Sequence, residues 1–120
     1  MNILKINIGL NNNPLNSEQL KQIFYKNNIF EFLIFEVAKG KYKNNYESTL
    51  IIEGETRQTA EQIQSYIFLL CTLLNQDCIP YTFADLLSKD KKQVNKLIYN
   101  KNYNGLKQQF NKNYFLTINN

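Results

Sequence analysis

The chain contains no histidine and no tryptophan, one methionine, two prolines, two cysteines and four glycines. Arginine occurs once, as Arg57, against 13 lysines. Without histidine there is no Ser/His or Cys/His pairing for nucleophilic catalysis and no imidazole metal site. Cys71 and Cys78 make neither a disulfide framework nor a zinc knuckle, and they read as small buried apolar side chains. The glycines at 9, 40, 54 and 105 are too scattered for a phosphate loop, and no Walker or G-x-G-x-x-G pattern occurs. A single arginine leaves one bidentate donor, which argues against sequence-specific DNA reading. No stretch approaches the ~20 apolar residues of a membrane span. The start, MNILKINIGL, lacks the continuous apolar run of a signal peptide. The expectation is a soluble protein of a reducing, cytoplasmic compartment with no membrane, metal or cofactor.

What is present is an ordinary globular balance in 120 residues, with 43% hydrophobic and 20% charged, enough for one domain. Amides are abundant, at 19 Asn and 9 Gln. The net charge of +4 is unevenly placed. Residues 1–85 carry seven Lys/Arg against nine Asp/Glu, a balance of −2. Residues 86–120 carry seven Lys against Asp90 alone, a balance of +6. A near-neutral core over 1–85 with a lysine-rich extension over 86–120 packed onto it is therefore expected. Such an extension suits an anionic partner, and it equally suits a solvated face.

Periodicity supplies the elements. Leu4, Ile6, Ile8 and Leu10 alternate with polar residues in a first strand. Asn16 with Gln19, and Thr59 with Gln62, form capping boxes for two helices. The second helix shows Ile63, Tyr66, Ile67, Leu70, Cys71 and Leu74 at spacings of three and four. Residues 29–38 read as a second strand with a bulge or burial on both faces. Residues 40–47 read as a polar turn and 48–53 as a third strand. Ile79, Tyr81 and Phe83 alternate in a fourth, which Pro80 places at a sheet edge. The fold class read from this is α+β, a ferredoxin-like β-α-β-β-α-β order with a four-stranded antiparallel sheet and two helices on one face. In the extension, Val94, Leu97 and Ile98 have helical spacing with Asp90 as a cap. After a loop at 100–105, Leu106, Phe110, Tyr114 and Phe115 suggest a further short helix or docked segment that could cover the open face.

Candidate sites are few. Glu53 and Glu55 straddle Gly54, and such a pair can do acid–base work or hold a divalent ion. Glu31 and Glu36 fall on opposite strand faces, and Asp77 and Asp85 flank the fourth strand as turn caps. No RNP-like run supports base stacking on the central strands. Lysine interleaved with tyrosine suits either a nucleic-acid backbone or an acidic protein surface. The residues so placed are Lys39, Lys41, Tyr42 and Lys43 in the hairpin. In the extension they are Lys89, Lys91, Lys92, Lys96, Lys101, Tyr103 and Lys107, followed by Lys112.

Four segments together, IGLNNNPL (8–15), TLIIEGET (49–56), LLNQDCIPY (73–81) and FNKNYFL (110–116), resemble a group of small tailed-phage and prophage proteins. That group has a Gly-Leu-Asn start, a TLxVEG strand, a QDCIAV strand and a terminal FNxxYFL. The chain departs from it at Pro80, where the group carries a small residue. The resemblance implies a ferredoxin-like fold and a non-enzymatic interaction protein of the anti-CRISPR type. Such a protein inhibits a host defence factor, a nucleoprotein effector among the candidates, by stoichiometric binding. The alternatives are a non-specific RNA or single-stranded DNA binder and a small carboxylate-based enzyme.

Overall fold

The computed structural model describes residues 2–42, 45–85 and 93–107. The elements are β1 (Asn2–Gly9), α1 (Ser17–Lys26), β2 (Phe32–Tyr42), β3 (Asn45–Thr56), α2 (Ala60–Leu73), β4 (Cys78–Asp85) and β5 (Gln93–Tyr99). The protein is α+β. Its sheet has the order β2-β3-β1-β4-β5, and every neighbouring pair is antiparallel.

β1 is the central strand. Leu4, Ile6 and Ile8 point to one face and are fully buried. Across the ladder Ile6 sits opposite Ile52 of β3 and Tyr81 of β4. Period-two alternation therefore gives one continuous apolar face. Both helices lie on it, because Leu20 and Phe24 of α1 and Ile63, Ile67 and Cys71 of α2 join the same cluster. Both begin with the capping boxes read from sequence, at Asn16/Gln19 and Thr59/Gln62. Phe24 meets Phe30 and Tyr66 edge-on, at centroid distances of 6.1 and 6.3 Å, and Asn27 Nδ2 donates to the Tyr66 hydroxyl at 3.1 Å. These contacts hold α1 beside α2.

Five expectations are corrected. The sheet has five strands, not four. Residues 93–99 form β5 rather than a helix, and Ile98 packs against the core from opposite Ile79. An alternating pattern of Val94, Lys96 and Ile98 fits a strand as well as Val94, Leu97 and Ile98 fits a helix. The open edge of β4 decides between them, by offering backbone partners. It follows that β4 is not an edge strand. Pro80 instead ends the inner ladder: β1–β4 pairing stops at Ile6↔Tyr81, while Pro80 faces Leu97 on the other flank. A residue without an N–H cannot extend that ladder toward Asn7. The extension over 93–99 thus lengthens the sheet sideways and does not cover its open face. Asp90, Phe110, Tyr114 and Phe115 lie outside the described residues.

β2 is not buried on both faces either. Phe32, Ile34 and Val37 are each more than half exposed, because β2 is the outer strand. Its pairing with β3 runs on to Tyr42↔Asn45, so the polar segment expected to be a turn is mostly strand. At Gly54 the strands approach so closely that a Cβ would run into the Phe32 carbonyl and the Leu33 backbone. Thr56 closes the layer, its hydroxyl donating to the Ile29 carbonyl at 2.5 Å and accepting from the Gln58 N–H.

Ile6→Ala is expected to lower unfolding free energy by about 3 kcal/mol, the usual cost of a buried Ile-to-Ala cavity. Thr59→Ala should cost about 1 kcal/mol through the lost cap. Urea titration followed by circular dichroism checks both.

Candidate functional site

Among the described residues, the lysines and tyrosines singled out by sequence fall into two groups, at the β2/β3 end and at the β5 edge. At the β2/β3 end, Lys39 and Lys41 place their Nζ atoms 4.8 and 5.8 Å from the ring centroid of Tyr46. The register puts Tyr46 opposite Lys41, so Tyr46 is an aromatic of this tip that a linear reading of the hairpin missed. At the far edge, Lys96 turns toward α2 and donates to Gln64 Oε1 at 3.4 Å. Beyond β5, Tyr99 and Tyr103 pack with centroids 5.1 Å apart, and Lys107 Nζ lies 5.8 Å from the Tyr99 ring. Lys101 is exposed in the adjoining turn. Three strands separate the β2 group from the β5 group. Lys43, Lys89, Lys91, Lys92, Lys112 and the side chain of Tyr42 lie outside the described residues.

The carboxylate candidates are dispersed. Glu53 and Glu55 share the face away from the helices, opposite Lys5 and Ile3 of β1. Glu31 precedes β2 and pairs with Arg57 at 3.4 Å. Among the described residues no group of three or more Cys, Asp or Glu could hold a metal ion. No described helix is long and apolar enough to cross a membrane. On the face away from the helices, β1 presents Lys5 and Asn7 and β3 presents Thr49 and Ile51, so the central strands carry no aromatic there.

A cleft of about 240 Å³ opens on that same face. It forms where β1 and β4 run on past Pro80 without pairing, and Asn7, Gly9, Glu47, Thr49, Cys78 and Pro80 line it. Its rim comes from the β1–α1 and α2–β4 turns. Each turn carries an asparagine in the left-handed region, Asn12 at φ 57° and Asn75 at φ 53°. Asparagine tolerates that conformation better than most side chains, which explains its use in these turns. The segments 8–15, 49–56 and 73–81, far apart in sequence, thus all supply residues to this one cleft.

The cleft is rich in acceptors. Asn7 is 2% exposed, and its Oδ1 has no hydrogen-bond partner among the described residues. The Glu47 carboxylate lies over Gly9, where a Cβ would fall 2.7 Å from Oε1. Burial pushes the Glu47 carboxyl above its ordinary range, a backbone hydrogen bond from Asn11 draws it back, and the charge of Asp77 raises it further. Beneath the rim, burial pushes the Cys71 thiol up to about 12, with the neighbouring Cys78 and Asp77 adding to the rise. Cys71 donates to the Gln76 carbonyl at 3.3 Å and is a packed core group, as its sequence neighbourhood suggested.

Comparison with known proteins gives no match to a protein-family model, a curated protein or a solved structure.

Two measurements test this electrostatic picture. The folded pKa of Glu47 lies above its unfolded value, so folding favours the protonated form. Its contribution to stability is present below the unfolded pKa and is lost as pH rises through the raised folded pKa. Glu47→Gln should therefore melt higher than the parent near neutral pH. The gap should close at acid pH, where both side chains are neutral. Equal melting temperatures at neutral pH would contradict the desolvated carboxylate. Separately, iodoacetamide at mildly alkaline pH should leave Cys71 unmodified in the folded protein, since its thiolate is scarce and buried. Peptide mass mapping of both cysteines reads this directly.

Proposed function

We propose that the protein is a non-enzymatic, phage-type interaction protein that inhibits a host defence factor by stoichiometric binding, and that the outer edge of β2 is its main contact. The observation that carries this reading is the character of that edge. β2 is 11 residues long, ends the sheet, and exposes Phe32, Ile34 and Val37. Long apolar edge strands are usually blunted by charge, proline or a cover, because they invite pairing with another chain. Left open, such an edge is suited to strand addition, in which main-chain hydrogen bonds supply affinity and alternate side chains supply specificity. Lys39, Lys41 and Tyr46 continue it with a basic, aromatic end that suits an acidic or nucleoprotein partner. The reading takes residues 2–85 as a ferredoxin-like unit to which β5 is added. It places the protein in the host cytoplasm and needs no metal or cofactor.

The test is affinity purification of the tagged chain from a plausible bacterial host, with and without nuclease, beside a phage-restriction assay. A protein partner should be retained after nuclease, and Ile34→Lys should reduce its recovery at least about tenfold. Circular dichroism should be unchanged, since Ile34 is 55% exposed. Recovery of nucleic acid alone, with affinity that falls steeply as salt rises, would replace this reading with the RNA or single-stranded DNA binder.

A further inference from the structure

We propose that the cleft between β1, β3 and β4 is a binding site for an alkylguanidinium group, with Asn7 and Glu47 as its principal acceptors. This is separate from the apolar outer edge of β2 at Phe32, Ile34 and Val37: β2 gives the cleft only Gly40 and Lys41, near its end, where it pairs with β3.

The acceptor without a donor comes first. A buried side-chain oxygen with no hydrogen bond bears the full penalty of its lost hydration, and few are kept in folded proteins. Asn7 Oδ1 is such an atom, and Asn7 lines the cleft. The local charge comes second. Glu47 is a half-buried carboxylate on the same wall, and it raises the demand for a cation. The lysine that contributes to the rim does not meet it. Lys41 faces Tyr46 across the β2/β3 ladder, with its Nζ 5.8 Å from that ring. Tyr46 and Glu47 are consecutive strand residues and so point to opposite faces of the sheet.

Size and donor pattern narrow the ligand. A volume of about 240 Å³ corresponds to about eight water molecules at ~30 Å³ each. A bare metal ion would leave most of that space unfilled, and the acidic groups here are too few to ligate one. A guanidinium carries five N–H donors in a planar fork and no acceptor, so one group can serve an amide oxygen and a carboxylate together. It is also weakly hydrated, which lowers the cost of entering a half-buried cleft. Pro80, Gly9 and the stem of Cys78 leave apolar surface for its alkyl chain.

The chemistry has two sources, an arginine side chain of a protein partner or a free small guanidinium compound. The experiment is a ¹H–¹⁵N NMR titration of the full chain with three probes: methylguanidinium, its neutral counterpart N-methylurea, and N-acetyl-arginine-N-methylamide. The expected result is saturable shifts of the Asn7 side-chain amide and the Gly9 N–H with methylguanidinium and not with N-methylurea. Glu47→Gln should weaken binding about tenfold or more, the size of one charge-assisted hydrogen bond. Glu53→Gln, on the same strand face but outside the cleft, should leave it unchanged. Binding of the capped arginine with equal or greater affinity assigns the site to a partner's side chain. Its exclusion, with methylguanidinium bound, assigns it to a free ligand. Absence of saturable shifts, equal response to N-methylurea, or an unaltered affinity in Glu47→Gln overturns the proposal.

Discussion

The structure depends on a single strand being buried on one face and paired on both edges. β1 lies between β3 and β4, and its Leu4, Ile6 and Ile8 form the floor on which both helices rest. A one-residue slip of this strand would carry all three to the open face and bring Lys5 and Asn7 under the helices. The penalty for that slip is large enough to fix the register, and the register fixes every later cross-strand pair. The ladder from Phe32↔Glu55 to Tyr42↔Asn45 is set by it through β3, and Ile79↔Ile98 is set by it through β4.

Pro80 modifies this frame at one point. By ending the β1–β4 ladder it leaves the last residues of β1 without a neighbour on that side. The apolar face remains continuous there, because Ile8 and Ile79 still reach the core. The opposite face does not remain continuous, and a polar cleft results. The same local departure from regular pairing thus leaves the core face continuous and opens a cleft on the other. The turns around it are held by asparagines in the left-handed region, so part of the unusual asparagine content of this chain has a conformational purpose.

The distribution of exposed apolar residues points elsewhere. Phe32, Ile34 and Val37 lie along β2, while Phe68, Leu69 and Leu73 lie on the outer side of α2. Lysine follows the β2 group at Lys39 and Lys41 and is absent from α2. Among the described residues the β2 edge combines exposed apolar side chains with adjacent cations, two kinds of interaction for one partner. In the basic extension, which dominates the charge pattern in sequence, two of the described lysines point to different neighbours, Lys96 to α2 and Lys107 to Tyr99.

Sequence by itself determined the local elements: both capping boxes, the alternation of β1, the apolar stripe of α2 and the α+β class. Each of these rests on contacts a few residues apart, or on a face pattern that any core would reward. The tertiary structure decided what depended on a distant neighbour. Residues 93–99 became a strand because β4 offered an open edge, and Pro80 became an interior ladder stop for the same reason. Tyr46 meets Lys39 and Lys41 because register and not proximity in sequence chooses cross-strand partners. Asn7 and Glu47 are 40 positions apart on different strands, and neither stands in a recognisable motif. Their shared cleft exists only where β1, β3 and two turns converge, and no periodicity in the sequence encodes that meeting.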